Sequence, residues 1–280
     1  MLGSGIASVG FGLASAASWG AADFSGGLAA RRWSAVAVTV AARGAGVVLL
    51  VTLALGLREP ALSRVGLGWA AAAGVVGSVG LVALYRALAV GQMGVVAPLS
   101  GMLSAGLPVL FTALSKGLPT TAQTTGFGLA MTSVWMLSRP QGSTGGPAGF
   151  GLALLSGVGF GGFLVLIAQA SRSTWLWPLA VANIASLATL VLVATTTRQM
   201  KRPPSGSLPF ALMAGILDVG GNAFFLLAAQ LGRLDTAAVL SSLYPASTAL
   251  LAWAILRERV SPLQAVGIVV ALAAIALIAG

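Results

Sequence analysis

No cysteine and no histidine occur in the 280 residues, and only five residues are acidic. Without the first two there are no disulfides, no thiol chemistry, no Cys/His metal centre and no histidine proton relay. No G-x-x-x-x-G-K-[ST] loop occurs either, so this chain alone does not drive a process with ATP. Charge of both signs is scarce: 7% of residues are charged, against about 25% in soluble domains. What replaces it is apolar surface, 58% of the chain, which no soluble globule could bury.

A helical span takes about 20 apolar residues, and the polar breaks in this sequence recur at the spacing of ten such spans. They are expected at Gly5 to Ala30, Ser34 to Leu57, Val65 to Leu88, Val95 to Leu114, Ala122 to Leu137, Ala148 to Ala170, Leu176 to Thr196, Leu208 to Leu231, Thr236 to Leu256 and Leu263 to Ala279. The opening MLGSGIASVGF has no basic residue ahead of its apolar run, so it is expected to be a first span and not a cleaved signal. Net charge is +10, but the fifteen Lys and Arg stand singly or in twos and threes between apolar runs. They read as interfacial anchors, and nucleic acid is not expected as a partner.

An internal duplication organises the chain. LSGMLSAGLPVLFTALSKGLPTTAQTTG, from Leu99, aligns without a gap on LSSLYPASTALLAWAILRERVSPLQAVG, from Leu240, at an offset of 141. The offset continues backward through Ala70/Ala211, Gly74/Gly215, Gly80/Gly221 and Gly91/Gly232, and the first and sixth spans match at an offset of 139. The Gly/Pro-rich RPQGSTGGP lies near the midpoint and reads as the joint. The expected organisation is a first five-helix repeat over 1–138, a joint over 139–147 and a second repeat over 148–280. Five is odd, so the second repeat enters the membrane from the opposite side. The fold class is therefore all-α membrane protein, ten transmembrane helices as two inverted five-helix repeats, an arrangement typical of secondary transporters.

Ionisable groups inside spans cost several kcal/mol and are functional candidates by default. Three stand out, Asp23, Arg43 and Asp218. Antiparallel pairing of the first two spans puts Asp23 at the depth of Arg43, so either the two neutralise each other structurally or one faces a cavity, binding a zwitterion or carrying a coupling proton. Asp218 has no obvious partner in its own hairpin, and its counterpart is Gly77. Trp19, Tyr85 and Tyr244, with Ser100, Ser241 and Asn222, supply the aromatic and polar groups that a small-solute pocket needs. Both tyrosines could equally lock neighbouring helices. Pro98, Pro108 and Pro245 interrupt the helical hydrogen-bond ladder and are candidate hinges or gates, Pro108 and Pro245 sitting one turn apart on equivalent helices. The glycines of the third and sixth spans, Gly74, Gly77, Gly80, Gly157, Gly159, Gly161 and Gly162, would permit tight helix contacts.

YRAL at Tyr85 to Leu88, Tyr244-Pro245, Arg257-Glu258-Arg259, Leu263-Gln264-Ala265-Val266-Gly267 and Trp19-Gly20 together resemble the EamA-type drug/metabolite transporters. Ser115-Lys116-Gly117 stands where that pattern has G-E-R in the first half, and Arg257 precedes Glu258 in place of a glycine. The resemblance implies two repeats of five helices around a central cavity, in the manner of bacterial exporters of amino acids and other small metabolites. It implies a small-molecule substrate, the bilayer of a bacterial inner membrane as environment, and cytoplasmic termini; with no His, no Cys and no close carboxylate pair, neither an enzyme nor a cofactor is expected. Loop charges point the other way on orientation, with five basic residues on the side of the N-terminus and eight opposite. Coupling to a proton through Asp23 or Asp218 and simple facilitated export both remain open, as does oligomeric state. A multidrug, sugar or nucleotide-derivative carrier is the alternative within the fold, and a structural or sensory membrane protein the alternative outside it.

Overall fold

The computed structural model describes residues 2–30, 32–90, 93–137, 149–171, 174–198, 202–256 and 262–279. It does so without the side chains of 2–4, 84–99 and scattered residues of 102–279. Among these residues the chain is helical throughout: α1 Leu2–Ala30, α2 Ala35–Gly56, α3 Arg64–Val90, α4 Met93–Lys116, α5 Thr121–Leu137, α6 Phe150–Ala170, α7 Leu176–Thr196, α8 Ser207–Leu231, α9 Leu234–Ser241, α10 Tyr244–Leu256 and α11 Pro262–Ala279. Of these, α2, α3, α6, α7 and α8 are long and apolar enough to cross a bilayer. Large apolar side chains stand exposed along them, among them Val48, Val75, Leu155, Leu192 and Ile216. Such a surface is stable only against lipid.

The helix starts follow local chemistry. Ser34 accepts the Ala37 N–H at 3.2 Å as the N-cap of α2. Thr120 and Gln123 exchange side-chain-to-backbone bonds at 3.2 Å each, a capping box at the head of α5. The first turn of α7 is held from outside, because the Glu59 carboxylate, in the α2–α3 turn, accepts the N–H groups of Trp175, Leu176 and Trp177 at 2.8 to 3.1 Å. An anion at a helix N-terminus also meets the positive end of the dipole.

One expected span differs. The stretch Thr236 to Leu256 is two helices, α9 and α10, separated at Ser242 and Leu243. Pro245 has no N–H to return to the Ser241 carbonyl, so the ladder fails there. Pro108, by contrast, sits inside an unbroken α4, where the Ser104 carbonyl that it frees abuts Gly161. The side chains of Pro98, Tyr85 and Pro245, the joint 139–147 and Arg257 to Arg259 lie outside the described residues.

Packing is reciprocal between the halves. Helix α1 lies along α8, and α6 along α3; α2 sits between α7 and α8, as α7 sits between α2 and α3; α4 packs on α6, as α9 and α10 pack on α1; α5 lies against α11. The reciprocity extends to atoms. A methyl group on Gly74 would collide with the Ala182 carbonyl across the α3–α7 seam, and one on Gly215 with the Ala42 carbonyl across the α8–α2 seam. Gly80 and Gly159 likewise bring the α3 and α6 backbones together where no side chain fits.

The ends of the bundle can be told apart. Ser8 donates to the Ala228 carbonyl at 2.8 Å, Gln230 to the Ser171 carbonyl at 2.7 Å, and Arg233 to the Gly117 carbonyl at 3.0 Å. The start of α1, the α8–α9 elbow and the turns α2–α3, α4–α5 and α6–α7 therefore share one end. The α1–α2 and α7–α8 turns lie at the other.

Candidate functional site

The α1–α8 seam is stitched by hydroxyls on α1. Ser15 donates to the Gly221 carbonyl at 2.8 Å and Ser18 to that of Leu217 at 2.7 Å. Trp19 rests against Gly221, where a side chain would run into the indole. Its ring stacks on Phe225 at 6.0 Å and meets Tyr244 edge-on at 6.5 Å, while Phe11 stacks on Phe224 at 6.1 Å. An aromatic wall thus joins α1, α8 and the head of α10.

Beside this wall lie the interior charges. Arg43 bonds Asp218 at 2.5 Å and reaches the Asn183 side-chain oxygen at 3.4 Å. Asn222, one turn beyond Asp218, donates to the same carboxylate oxygen at 3.1 Å and to the Asp218 backbone carbonyl at 2.7 Å. Asn183 is oriented by its own bond to the Leu179 carbonyl at 2.9 Å. Two amides, from α7 and α8, therefore hold the pair from both sides, and the side chains of Arg43 and Asp218 remain 22% and 27% exposed.

This corrects one of the two alternatives drawn from the sequence, the pairing of Asp23 with Arg43. Arg43 pairs instead with Asp218, whose partner thus lies outside its own hairpin, across the halves of the chain. The reason is that α1 lies along α8 and hardly touches α2, so adjacency in sequence does not bring the first two helices together. Asp23 is within electrostatic reach of Asp218 and Tyr244. Among the described residues its carboxylate has no ion pair and accepts no hydrogen bond, and it is exposed.

The exposure of Asp23 follows a gradient. On the face of α1 that carries it, Gly12 and Ala16 are buried, Trp19 is half-buried, and Asp23, Gly27 and Ala30 are exposed. Positions three and four apart share a helix face, so this face opens steadily toward the α1–α2 end. At the other end it is shut. Every residue from Leu234 to Leu243 is buried, and Leu240 of α9 presses on Gly12. The α8–α9 elbow that carries this plug is held by Arg233, whose guanidinium forks onto Asp235 at 2.8 to 3.2 Å while Asp235 also caps the Thr236 N–H at 2.8 Å.

The remaining expected site residues divide. Tyr244 and Trp19 belong to the aromatic wall. Asn222 is 3% exposed and acts by holding Asp218. Ser100 is buried against Ser156 at 2.8 Å, between α4 and α6, and Ser241 is fully buried with its hydroxyl 3.4 Å from the Gly12 carbonyl. Neither serine lines the open face. Asn183 is the residue that sequence reasoning missed: a lone amide in an apolar helix, it stands at the position in α7 that Arg43 holds in α2, by the register of Ala42 and Ala182 at the two glycine contacts. Among the described residues no group of Asp and Glu is placed to hold a metal ion.

Comparison with known proteins agrees with this architecture. A solved crystal structure shares the fold with a TM-score of 0.77 at 20% identity, covering 96% of this chain and 95% of its own. No curated protein matches the chain. The EamA-like transporter family matches residues 147–280, which contain Asn183, Asp218, Asn222 and Tyr244. Residues 147–280 are thus similar to EamA-like transporter domains, which is consistent with the drug/metabolite transporter superfamily, and the five described helices long and apolar enough to cross a bilayer fit a multi-pass membrane protein.

Proposed function

We propose that the protein is a secondary transporter that exports a small organic solute, with amino acids as first candidates, by alternating access through a cleft between two inverted five-helix repeats. The observation that carries this reading is the set of interior charges: Arg43, Asp218 and Asp23 sit within apolar helices, beside an aromatic wall, on a face open at one end and shut at the other. Charged side chains in spans are costly and face the bundle interior or a water-filled path. A carboxylate there with no ion pair among the described residues favours a solute-binding role over a purely structural or sensory one.

The reciprocal packing of α1–α8 with α6–α3, and of Gly74 and Gly215 on carbonyls of α7 and α2, supports inverted repeats of five, with α9 and α10 together forming one broken span. Broken helices at a repeat interface are where transporter sites form. The site lies at that interface, with groups from both halves: Trp19, Asp23 and Arg43 from the first, Asn183, Asp218, Asn222 and Tyr244 from the second. Export from a bacterial cytoplasm, with both termini inside, completes the reading.

Counterflow in proteoliposomes tests it. Vesicles preloaded with one amino acid or metabolite from a panel should show saturable accumulation of the labelled compound, and a response to an imposed pH gradient would add proton coupling. Flux confined to a cationic drug or a sugar derivative would keep the carrier and replace the substrate. Absence of flux across the panel would remove the transport assignment.

A further inference from the structure

Among the described side chains the interior charges do not balance. Arg43 contributes one positive charge, and Asp218 and Asp23, when ionised, contribute two negative charges. Arg43 is already committed, bonded to Asp218 and within reach of the Asn183 oxygen. Asp23 is left with no cation among the described residues, and the other described charges, such as Arg32, Arg58, Glu59, Lys116 and Arg233, lie at helix ends. Where water is scarce, an uncompensated charge attracts a counter-charge more strongly than at a surface.

The surroundings of Asp23 fit one kind of counter-charge. Trp19 is one turn before it on the same helix face, and Tyr244 is in reach of both residues. Aromatic faces attract organic cations, whereas a small hydrated metal ion would need several oxygen ligands. Among the described residues a solute carboxylate finds no free interior guanidinium to receive it, since Arg43 is held by Asp218.

We infer that the cleft selects for a protonated amine, bound with its ammonium on Asp23 and its apolar body against Trp19 and Tyr244, and that it discriminates against solutes carrying a carboxylate. This rests on the transport reading and narrows its substrate class: an amino acid is held by its ammonium, and the matching amine without the carboxylate is the better ligand.

Three probes of one skeleton separate the terms: 2-phenylethylamine, phenylalanine and 3-phenylpropionate, compared by counterflow and by quenching of tryptophan fluorescence in the purified full-length protein. The expected order is amine, then amino acid, with the acid inert. Asp23→Asn should lower the amine's kcat/KM by about tenfold or more, equivalent to about 1.4 kcal/mol, and Asp23→Glu should recover part of it. An unchanged melting temperature for Asp23→Asn separates this loss from misfolding, and a variant that melts early is replaced by the wild-type ranking of the three probes. Preference for the acid or the amino acid over the amine, or an Asp23→Asn variant that exchanges the amine normally, overturns the inference while transport stands. Amine quenching that depends on Asp23, with no exchange of any probe, keeps the cation site and sinks the transport reading. Neither quenching nor exchange overturns both.

Discussion

Arg43 meets Asp218 at 2.5 Å across the two halves of the chain, and Asp23, on α1, is thereby left without a cation among the described residues. Asp218→Asn should therefore do more than delete a charge. It releases Arg43, which is then free to turn toward Asp23, and the described interior charges then sum to zero. Amine exchange should fall as far as in Asp23→Asn. A variant with unchanged exchange kinetics would remove Asp218 from the site.

The same pair should show up in stability. Breaking a fully buried pair costs about 3–5 kcal/mol, and the partial exposure here reduces that to about 2 kcal/mol for Arg43→Gln alone, or a melting temperature lower by about 4–8 °C. Arg43→Gln with Asp218→Asn should restore most of the loss, because neither charge is then stranded. Additive losses in the double variant would mean that the two groups are not coupled.

Helix contact through glycine makes a sharper test. Gly215→Ala places a methyl group on the Ala42 carbonyl and should destabilise by about 1–3 kcal/mol. Gly10→Ala, on the same kind of helix but with open space around the new methyl group, should be neutral or gain about 0.5–1 kcal/mol. Thermal melting in detergent would compare them directly, and equal effects would count against the seam.

Glu59 offers a variant away from the site. Its carboxylate takes three N–H groups at the head of α7, so Glu59→Ala should cost about 1–2 kcal/mol, the upper range for a helix cap. Exchange kinetics per folded molecule should be unchanged. A changed KM with normal melting would instead assign Glu59 to the transport cycle.

The lack of cysteine makes orientation easy to read. Leu118 and Ser205 are both exposed, in the α4–α5 and α7–α8 turns at opposite ends of the bundle. With cytoplasmic termini, Ser205→Cys should react with an impermeant maleimide in intact cells and Leu118→Cys only after permeabilisation. The reverse result would favour the loop charges over the family resemblance.

Much of this was legible in the chain because helix length and apolarity are local properties. The positions of Asp23, Arg43 and Asp218 stand out in sequence for the same reason, since a charge in an apolar run needs no neighbour to be noticed. Their partners do not. Pairing Asp23 with Arg43 assumes that consecutive helices touch, and α1 is instead occupied along its length by α8 through Ser8, Ser15, Ser18 and Gly221. Ser100 and Ser241 resemble pocket hydroxyls by repeat position, yet each faces a neighbouring helix. Asn183 could have been found by asking what faces Arg43 across the repeat, once α2 and α7 are known to pack together.

That last contact limits how such a chain can arise by duplication. Where equivalent helices of two copies touch, a residue meets its own image, and an arginine would meet an arginine. Two like charges at 3.4 Å in an apolar interior would repel strongly. On the proposed duplication, a chain built from identical halves could not carry Arg43 at this point, and one copy would keep the cation only if the other became Asn183. The ion pair, and the carboxylate left beside it with no cation among the described residues, are what exact symmetry between such halves would forbid.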